Sequence, residues 1–170
     1  MLLIVYQALG AVALAALLLL APFVPALRRG LRERLGGAAR GEAAAGTIWV
    51  HAASVGEVRA AAPLIGALLR ERPDARVLLS TFTPGGRRVA EETVAAGEPR
   101  VRCRFLPLDW GWIPAAAVRR ERPALFVLLE TELWPVLLVA LRRAGVPVLV
   151  VNGRISPRRA GRYVALRRAL

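Results

Sequence analysis

Ser54-Val55-Gly56-Glu57 follows a short apolar run and opens a helical pattern, so it reads as a strand-to-helix turn. Gly56 would let the backbone turn tightly. Glu57 would fall in the first helical turn, where the positive end of the helix dipole favours a carboxylate. An ionised carboxylate is what a general base requires. A Glu in that place also closes a capping box, and the local sequence leaves both roles open. The same turn approaches the hydrolase elbow G-x-S-x-G through Ala52-x-Ser54-x-Gly56. That chemistry needs a histidine on the serine, and the only one, His51, lies three residues upstream within the strand. It cannot swing onto Ser54, so a hydrolase would need a histidine from a further part of the protein, and His51 is expected to be a hydrogen-bonded strand-end residue.

Thr81-Phe82-Thr83-Pro84-Gly85-Gly86 opens the next helical pattern. Hydroxyls and free N–H groups at a helix start can hold an anion or sugar oxygens, as can any ordinary N-cap. Glu130-Thr131-Glu132-Leu133-Trp134-Pro135 ends a buried-looking apolar strand. Two carboxylates there are costly unless paired or exposed in a cleft. Arg154, after the next strand, is a candidate partner, and for one of the two glutamates a structural Glu–Arg pair is the simpler role. Neither G-x-x-x-x-G-K-[ST] nor G-x-G-x-x-G is present, so neither a P-loop nor the standard dinucleotide fingerprint is supported.

The elements that must position these residues alternate. Apolar runs at Ile48–Ala52, Val77–Ser80, Val101–Leu106, Leu125–Leu129 and Val146–Val151 read as strands. Between them, Val58, Ala61, Ala62, Ile65, Leu68 and Leu69 form one helical stripe, and further helices are predicted at Gly86–Ala96, Ile113–Arg122 and Pro135–Ala144. Pro73-Asp74, Pro123 and Gly145 punctuate the boundaries. The continuous apolar character of the fourth and fifth strands suits a parallel sheet covered on both faces. The pattern is that of an open α/β sheet, whose post-strand loops converge on the carboxyl edge where ligands bind.

The chain has 170 residues, is 56% hydrophobic and carries a formal charge of +13, every basic residue being Arg. That composition excludes a disordered or fibrous chain. One Cys, Cys103, excludes an internal disulfide framework, and one Cys with one His leaves too few of the usual ligands for a zinc site. Residues 1–27 contain no charged side chain and read as a transmembrane anchor. A cleaved signal peptide, with Val24-Pro25-Ala26 as its cleavage site, is the main competitor, and a buried core helix is the third reading. Signal peptides carry positive charge ahead of the apolar run, however, whereas Arg28, Arg29, Arg32, Arg34 and Arg40 all follow it. The positive-inside rule then places the remainder in the cytoplasm. Residues 28–46 read as a basic juxtamembrane linker, flexible or loosely helical from Gly36 to Gly46, and 47–170 as the globular domain. A helical pattern from Tyr163 to Leu170 has no closing element, so the protein is expected to continue into a second half.

In order and spacing, Trp49-Val50-His51-Ala52-Ala53-Ser54-Val55-Gly56-Glu57, Thr81-Phe82-Thr83-Pro84-Gly85, Leu106-Pro107-Leu108-Asp109, Glu130-Thr131-Glu132-Leu133-Trp134-Pro135 and Asn152-Gly153-Arg154-Ile155-Ser156 resemble the bacterial 3-deoxy-D-manno-octulosonic acid (Kdo) transferases. The resemblance runs from about Trp49 to Tyr163. It departs at Trp110-Gly111-Trp112, bulkier than that family usually has there, and at Gly153, where Ala is common. The resemblance implies the N-terminal, acceptor-side, Rossmann-like half of a GT-B glycosyltransferase, with the donor-binding domain outside this chain. The implied reaction moves Kdo from CMP-Kdo to a lipid A precursor at the cytoplasmic face of the inner membrane, in lipopolysaccharide biosynthesis, by direct inversion and with no cofactor or metal. Glu57 matches the proposed base; Ser54 and Gly56 would shape its elbow. Glu130 and Glu132 would position the loop, the acceptor or a cationic partner, and Thr83, Gly85, Asn152, Arg154 and Ser156 would make donor or acceptor contacts. The basic surface would face lipid phosphates and the anionic leaflet. Nucleic acid is the rival partner for that charge, but no basic run interleaved with aromatics is present. The alternative from another class is a non-catalytic membrane-bound module that binds anionic lipid or a partner protein.

Overall fold

The computed structural model describes residues 2–24, 28–38, 44–130 and 134–153. Glu132, Arg154, Ser156, the Tyr163–Leu170 pattern and the middle of the Gly36–Gly46 linker lie outside these. The elements run α1 (Leu2–Leu20), α2 (Leu31–Arg34), β1 (Thr47–His51), α3 (Val55–Glu71), β2 (Val77–Thr81), α4 (Pro84–Val89), β3 (Val101–Phe105), α5 (Ile113–Glu121), β4 (Pro123–Leu129), α6 (Pro135–Arg143) and β5 (Val148–Val151). The five strands form one parallel sheet in the order β3-β2-β1-β4-β5. The expected open α/β sheet of Rossmann-like type is therefore present. Its order reverses between β1 and β4, the place where such sheets open a ligand crevice.

Alternation along the strands builds two cores. Val50, Ala52, Val77, Leu79, Val127 and Leu129 face α3 through Val58, Ala61, Ile65 and Leu69. Trp49, Leu78, Phe126 and Leu128 face α5 and α6 through Ala117, Val118, Leu137 and Leu141. Trp49 and Phe126 meet edge to face at 5.4 Å.

Three boundaries differ from expectation for identifiable reasons. The second crossover helix starts at Pro84, because Thr83 caps it and Pro suits the first helical position; it ends in a π-helical turn at Ala90–Val94. β5 begins at Val148, since Pro147 has no N–H to give the ladder. β5 is also an edge strand among the described residues, with Val148, Leu149 and Val150 40%, 51% and 47% exposed, so within those residues it lacks the two-sided cover expected of it. Gly145 does close α6 in a left-handed conformation (φ 69°), with Val146 N–H donating to Leu141 O at 2.9 Å.

The segment before the domain is not a simple tether where it is described. Glu33 is buried: its Oε2 accepts from Arg87 at 2.7 Å and from Phe105 N–H at 2.6 Å. Fully buried Arg104 donates to the Glu33 carbonyl at 2.9 Å and to Glu121 at 2.9 Å. Leu108 N–H donates to Arg34 O at 2.7 Å. α2 thereby covers the outer edge of β3.

Among the described residues no helix is long and apolar enough to cross a membrane. α1 instead lies along the loop edge of the domain. Tyr6 donates to Asp109 Oδ2 at 2.8 Å, Trp110 Nε1 donates to Gln7 O at 2.8 Å, and Gly111 N–H donates to Gln7 Oε1 at 3.0 Å. Its outer side exposes Val5, Val12 and Leu19 at 53%, 70% and 72%.

Candidate functional site

The turn after β1 is a capping box. Ser54 is the N-cap of α3 and accepts from Glu57 N–H at 3.4 Å. Glu57 reaches back: Oε2 accepts from Ala53 N–H at 2.9 Å and Oε1 from the Ser54 hydroxyl at 2.8 Å. Glu57 is 7% exposed and lies in the first turn of a 17-residue helix. Capping is thus observed, and it is compatible with proton acceptance, because each oxygen keeps a lone pair beyond the single bond it accepts. Gly56 corrects an expectation. Its φ is not positive, and a Cβ there would come no nearer than 4.0 Å to Ser54 Oγ. The tight turn does not require glycine. What Gly56 leaves is open space above an exposed backbone in the first turn of α3, beside Glu57.

The turn after β2 is stapled to it. Phe82 N–H and Thr83 N–H both donate to Ala53 O at 3.0 Å, and the Thr83 hydroxyl donates to the same oxygen at 3.3 Å. Thr83 also caps α4, accepting from Gly86 N–H at 3.0 Å. This packing is close enough to need glycine at Gly86, where a Cβ would meet Ala53 O at 3.2 Å. At Gly85 it would meet Val55 Cγ2 at 3.3 Å. Arg34 locks the outside: its guanidinium lies 5.2 Å from the Phe82 ring centroid and 4.3 Å from that of Phe105, and it donates to Phe82 O at 2.6 Å.

Asp109 joins the third and fourth turns. Its Oδ1 accepts from Leu137 N–H at 2.6 Å and its Oδ2 from Val136 N–H at 3.1 Å. It supplies the cap that α6 lacks locally. Burial raises its pKa, against the lowering effect of the Val136 and Leu137 N–H groups and the Tyr6 hydroxyl. Trp134, at the start of α6, packs on Phe82 (5.3 Å between ring centroids) and on His51 (6.1 Å).

His51 is fully buried, as a strand-end residue should be, with Nδ1 3.1 Å from Ser80 O and 3.0 Å from Ser80 Oγ. In the tautomer protonated at Nδ1 the ring donates to the Ser80 carbonyl; in the other it accepts from the Ser80 hydroxyl. Burial pushes the imidazole pKa down to about 4, outweighing the Ser80 bond, so the ring is neutral at pH 7. It makes no hydrogen bond to Ser54, whose hydroxyl is given to Glu57. His51 Nε2 and Trp134 Nε1 are both buried without a hydrogen-bond partner among the described residues.

The structure therefore brings Ser54, Gly56, Glu57, Thr83 and Gly85 together. Glu130 and Asn152 stand farther along the same edge, directly after β4 and β5, both exposed and left-handed (φ 62° and 57°). Glu130 N–H donates to Val151 O at 2.9 Å. Sequence reasoning missed Arg34, Glu33, Tyr6 and Gln7, all of which precede the domain. Their long-range partners left no local signal, although a Glu set among juxtamembrane arginines was a visible irregularity.

Comparison with known proteins shows the family. The description 3-Deoxy-D-manno-octulosonic-acid transferase (kdotransferase) matches residues 29–170. The 3-deoxy-D-manno-octulosonic acid transferase of Haemophilus influenzae is 39% identical over 116 residues, covering 68% of this chain and 26% of that protein. Those of Bordetella pertussis (41%, over 66% of this chain and 26% of that protein) and Chlamydia pneumoniae (36%, over 71% and 27%) are similar. The chain spans about a quarter of the length of these curated relatives. With the match covering the capped Glu57 turn and every other turn of the sheet's carboxyl edge, the chain belongs to the 3-deoxy-D-manno-octulosonic acid transferase family.

Proposed function

We propose that the protein takes part in lipopolysaccharide synthesis by transferring Kdo from CMP-Kdo to a lipid A precursor, and that Glu57 is the general base. The observation that carries this reading is the buried Glu57 carboxylate at the amino end of α3, next to open space over Gly56 and beside the strand-order reversal. A sugar hydroxyl approaching over Gly56 meets that carboxylate. As its oxygen forms the new bond to the anomeric carbon of Kdo, Glu57 takes the proton and CMP leaves from the opposite face with the bonding electrons. The product is inverted and needs no enzyme-bound intermediate. Ser54 holds the carboxylate in place, and Thr83 and Gly85 pack the second turn against it. Glu130, Glu132, Asn152, Arg154 and Ser156 are the candidates for contacts across the crevice to donor or acceptor, with the donor held chiefly by a second domain.

We assign the protein to the cytoplasmic side of the bacterial inner membrane. The exposed apolar side of α1 attaches it, and exposed Arg28, Arg29 and Arg32 face anionic headgroups. The test is transfer of labelled Kdo from CMP-Kdo to a lipid A precursor by the purified full-length protein. Labelled product appearing in proportion to enzyme supports the reading; no transfer under conditions where a relative transfers would contradict it.

A further inference from the structure

Between α1 and the loop edge runs a groove of about 360 Å³. One wall is a single helical stripe, from Tyr6 through Gly10 and Ala13 to Leu17. The stripe covers about 17 Å of helix at 1.5 Å per residue. The opposite wall is Phe82, Trp110 and Trp134. The small side of Gly10 admits Trp110, since a Cβ there would fall 2.6 Å from the indole Cδ1. Asp109, the one carboxylate among the described lining residues, is already engaged by Tyr6, Val136 and Leu137, so the described lining of the slot is mainly apolar.

Its two ends differ. At Phe82 the apolar wall gives way to charge: Arg34 stacks on that ring, and the Phe82 N–H is bonded to Ala53 O, in the residue whose own N–H holds Glu57. A ligand suited to this slot is apolar for most of its length. It bears a polar, anionic head at the Arg34–Glu57 end. The outer flank of α1 is exposed and apolar, and Arg28, Arg29 and Arg32 follow it, so the slot lies where a single lipid would leave an anionic surface.

We propose that this groove is an acyl-chain site, holding one hydrocarbon chain of the acceptor lipid so that its sugar headgroup lies over the Ser54–Glu57 turn. This rests on the acceptor being a lipid. The chain would set acceptor specificity by length, and α1 would belong to the binding site as well as to membrane attachment.

The test uses the full-length protein and a dodecyl phosphate tipped with bromine, kept below its micelle concentration, to quench tryptophan fluorescence. Trp110 and Trp134 line the groove, whereas Trp49 is in the core and Trp112 is on the outside. Three proteins are compared: the parent, Ala13→Phe, which fills the groove, and Val12→Phe, which adds the same bulk on the exposed side of α1. Saturable quenching is expected in the parent and Val12→Phe, with half-saturation roughly ten-fold higher in Ala13→Phe, the scale of excluding a methylene or more from an apolar site. Equal half-saturation in all three, or quenching that never saturates, would overturn the proposal, because either means partition onto an apolar surface. If Ala13→Phe does not fold by circular dichroism, Leu17→Phe fills the same slot and is held to the same outcomes. Transfer separates this claim from the one it rests on. The ratio of kcat/KM on an acylated acceptor to that on an acyl-free acceptor should fall about ten-fold in Ala13→Phe and stay parental in Val12→Phe. An unchanged ratio in Ala13→Phe would overturn the acyl site. A parent that transfers to neither acceptor would contradict the transferase reading, and quenching alone would then decide the groove.

Discussion

Ser54 and Glu57 form the cap of α3, and the proposed mechanism gives each a second role that substitution can separate. Ser54 caps α3 and donates to the carboxylate. Ser54→Ala should cost about 1 kcal/mol through the lost cap. That corresponds to a melting temperature lower by roughly 2–4 °C for a domain of this size. If the hydroxyl also fixes the base, kcat should fall while acceptor KM stays near the parental value. A loss of stability with kcat intact would leave Ser54 as a cap alone. His51 gives a pH test at the same scale. Its pKa is about 4 when folded, against the ordinary histidine value of 6.5 when the chain is unfolded. Because the folded value is depressed, this contribution to stability is complete above pH 6.5 and is lost as pH falls towards 4. The loss should reach about 3 kcal/mol at the bottom of that window. Urea midpoints at several pH values should show this slope in the parent and not in His51→Gln. A parallel decline in both would mean that other groups control acid sensitivity.

At the scale of elements, the parallel sheet, its crossover helices and the convergence of the turns were legible in the sequence, because apolar period and turn residues are local signals. The role of Glu57 was legible only as a pair of alternatives, since a capping box and a base need the same residue in the same place. What was not legible came from partners far apart in sequence. Glu33 reads as a surface charge, yet it is buried against Arg87 and the Phe105 N–H. Arg104, a charged residue inside the predicted Val101–Leu106 strand, is enclosed by Glu121 and the Glu33 carbonyl. Gly56 reads as a conformational need and proves to be open space. The docking of α2 has a measurable consequence. Glu33→Ala should destabilise the fold by about 3–5 kcal/mol, since it leaves the Arg87 charge buried without its main partner. A flexible tether would show almost no change in denaturant midpoint.

At the scale of the whole molecule, α1 and the loop edge form one unit, and the proposed membrane attachment follows from its geometry. With Tyr6 and Gln7 tied to residues 109–111, the amino end of α1 stays on the same side as the domain. Reporters fused before Met1 and after Leu170 should therefore both read as cytoplasmic. A periplasmic amino terminus would mean that α1 leaves this position to cross the bilayer. In the proposed reading the crevice between β1 and β4 is one side of a two-domain site, so these 170 residues alone should not transfer Kdo; transfer by them alone would remove the need for a second domain. Turnover and melting temperature of Glu57→Gln in the full-length enzyme decide whether this carboxylate is the base. Gln keeps the size and can still accept from Ala53 N–H but is a poor proton acceptor. A base at this position predicts a fall in kcat of about 100- to 10,000-fold with acceptor KM little changed, and a stability loss of about 1 kcal/mol or less. Turnover within a few-fold of the parent, with only the melting temperature lowered, would leave Glu57 as a helix cap and move the search for the base to Glu130 and Glu132.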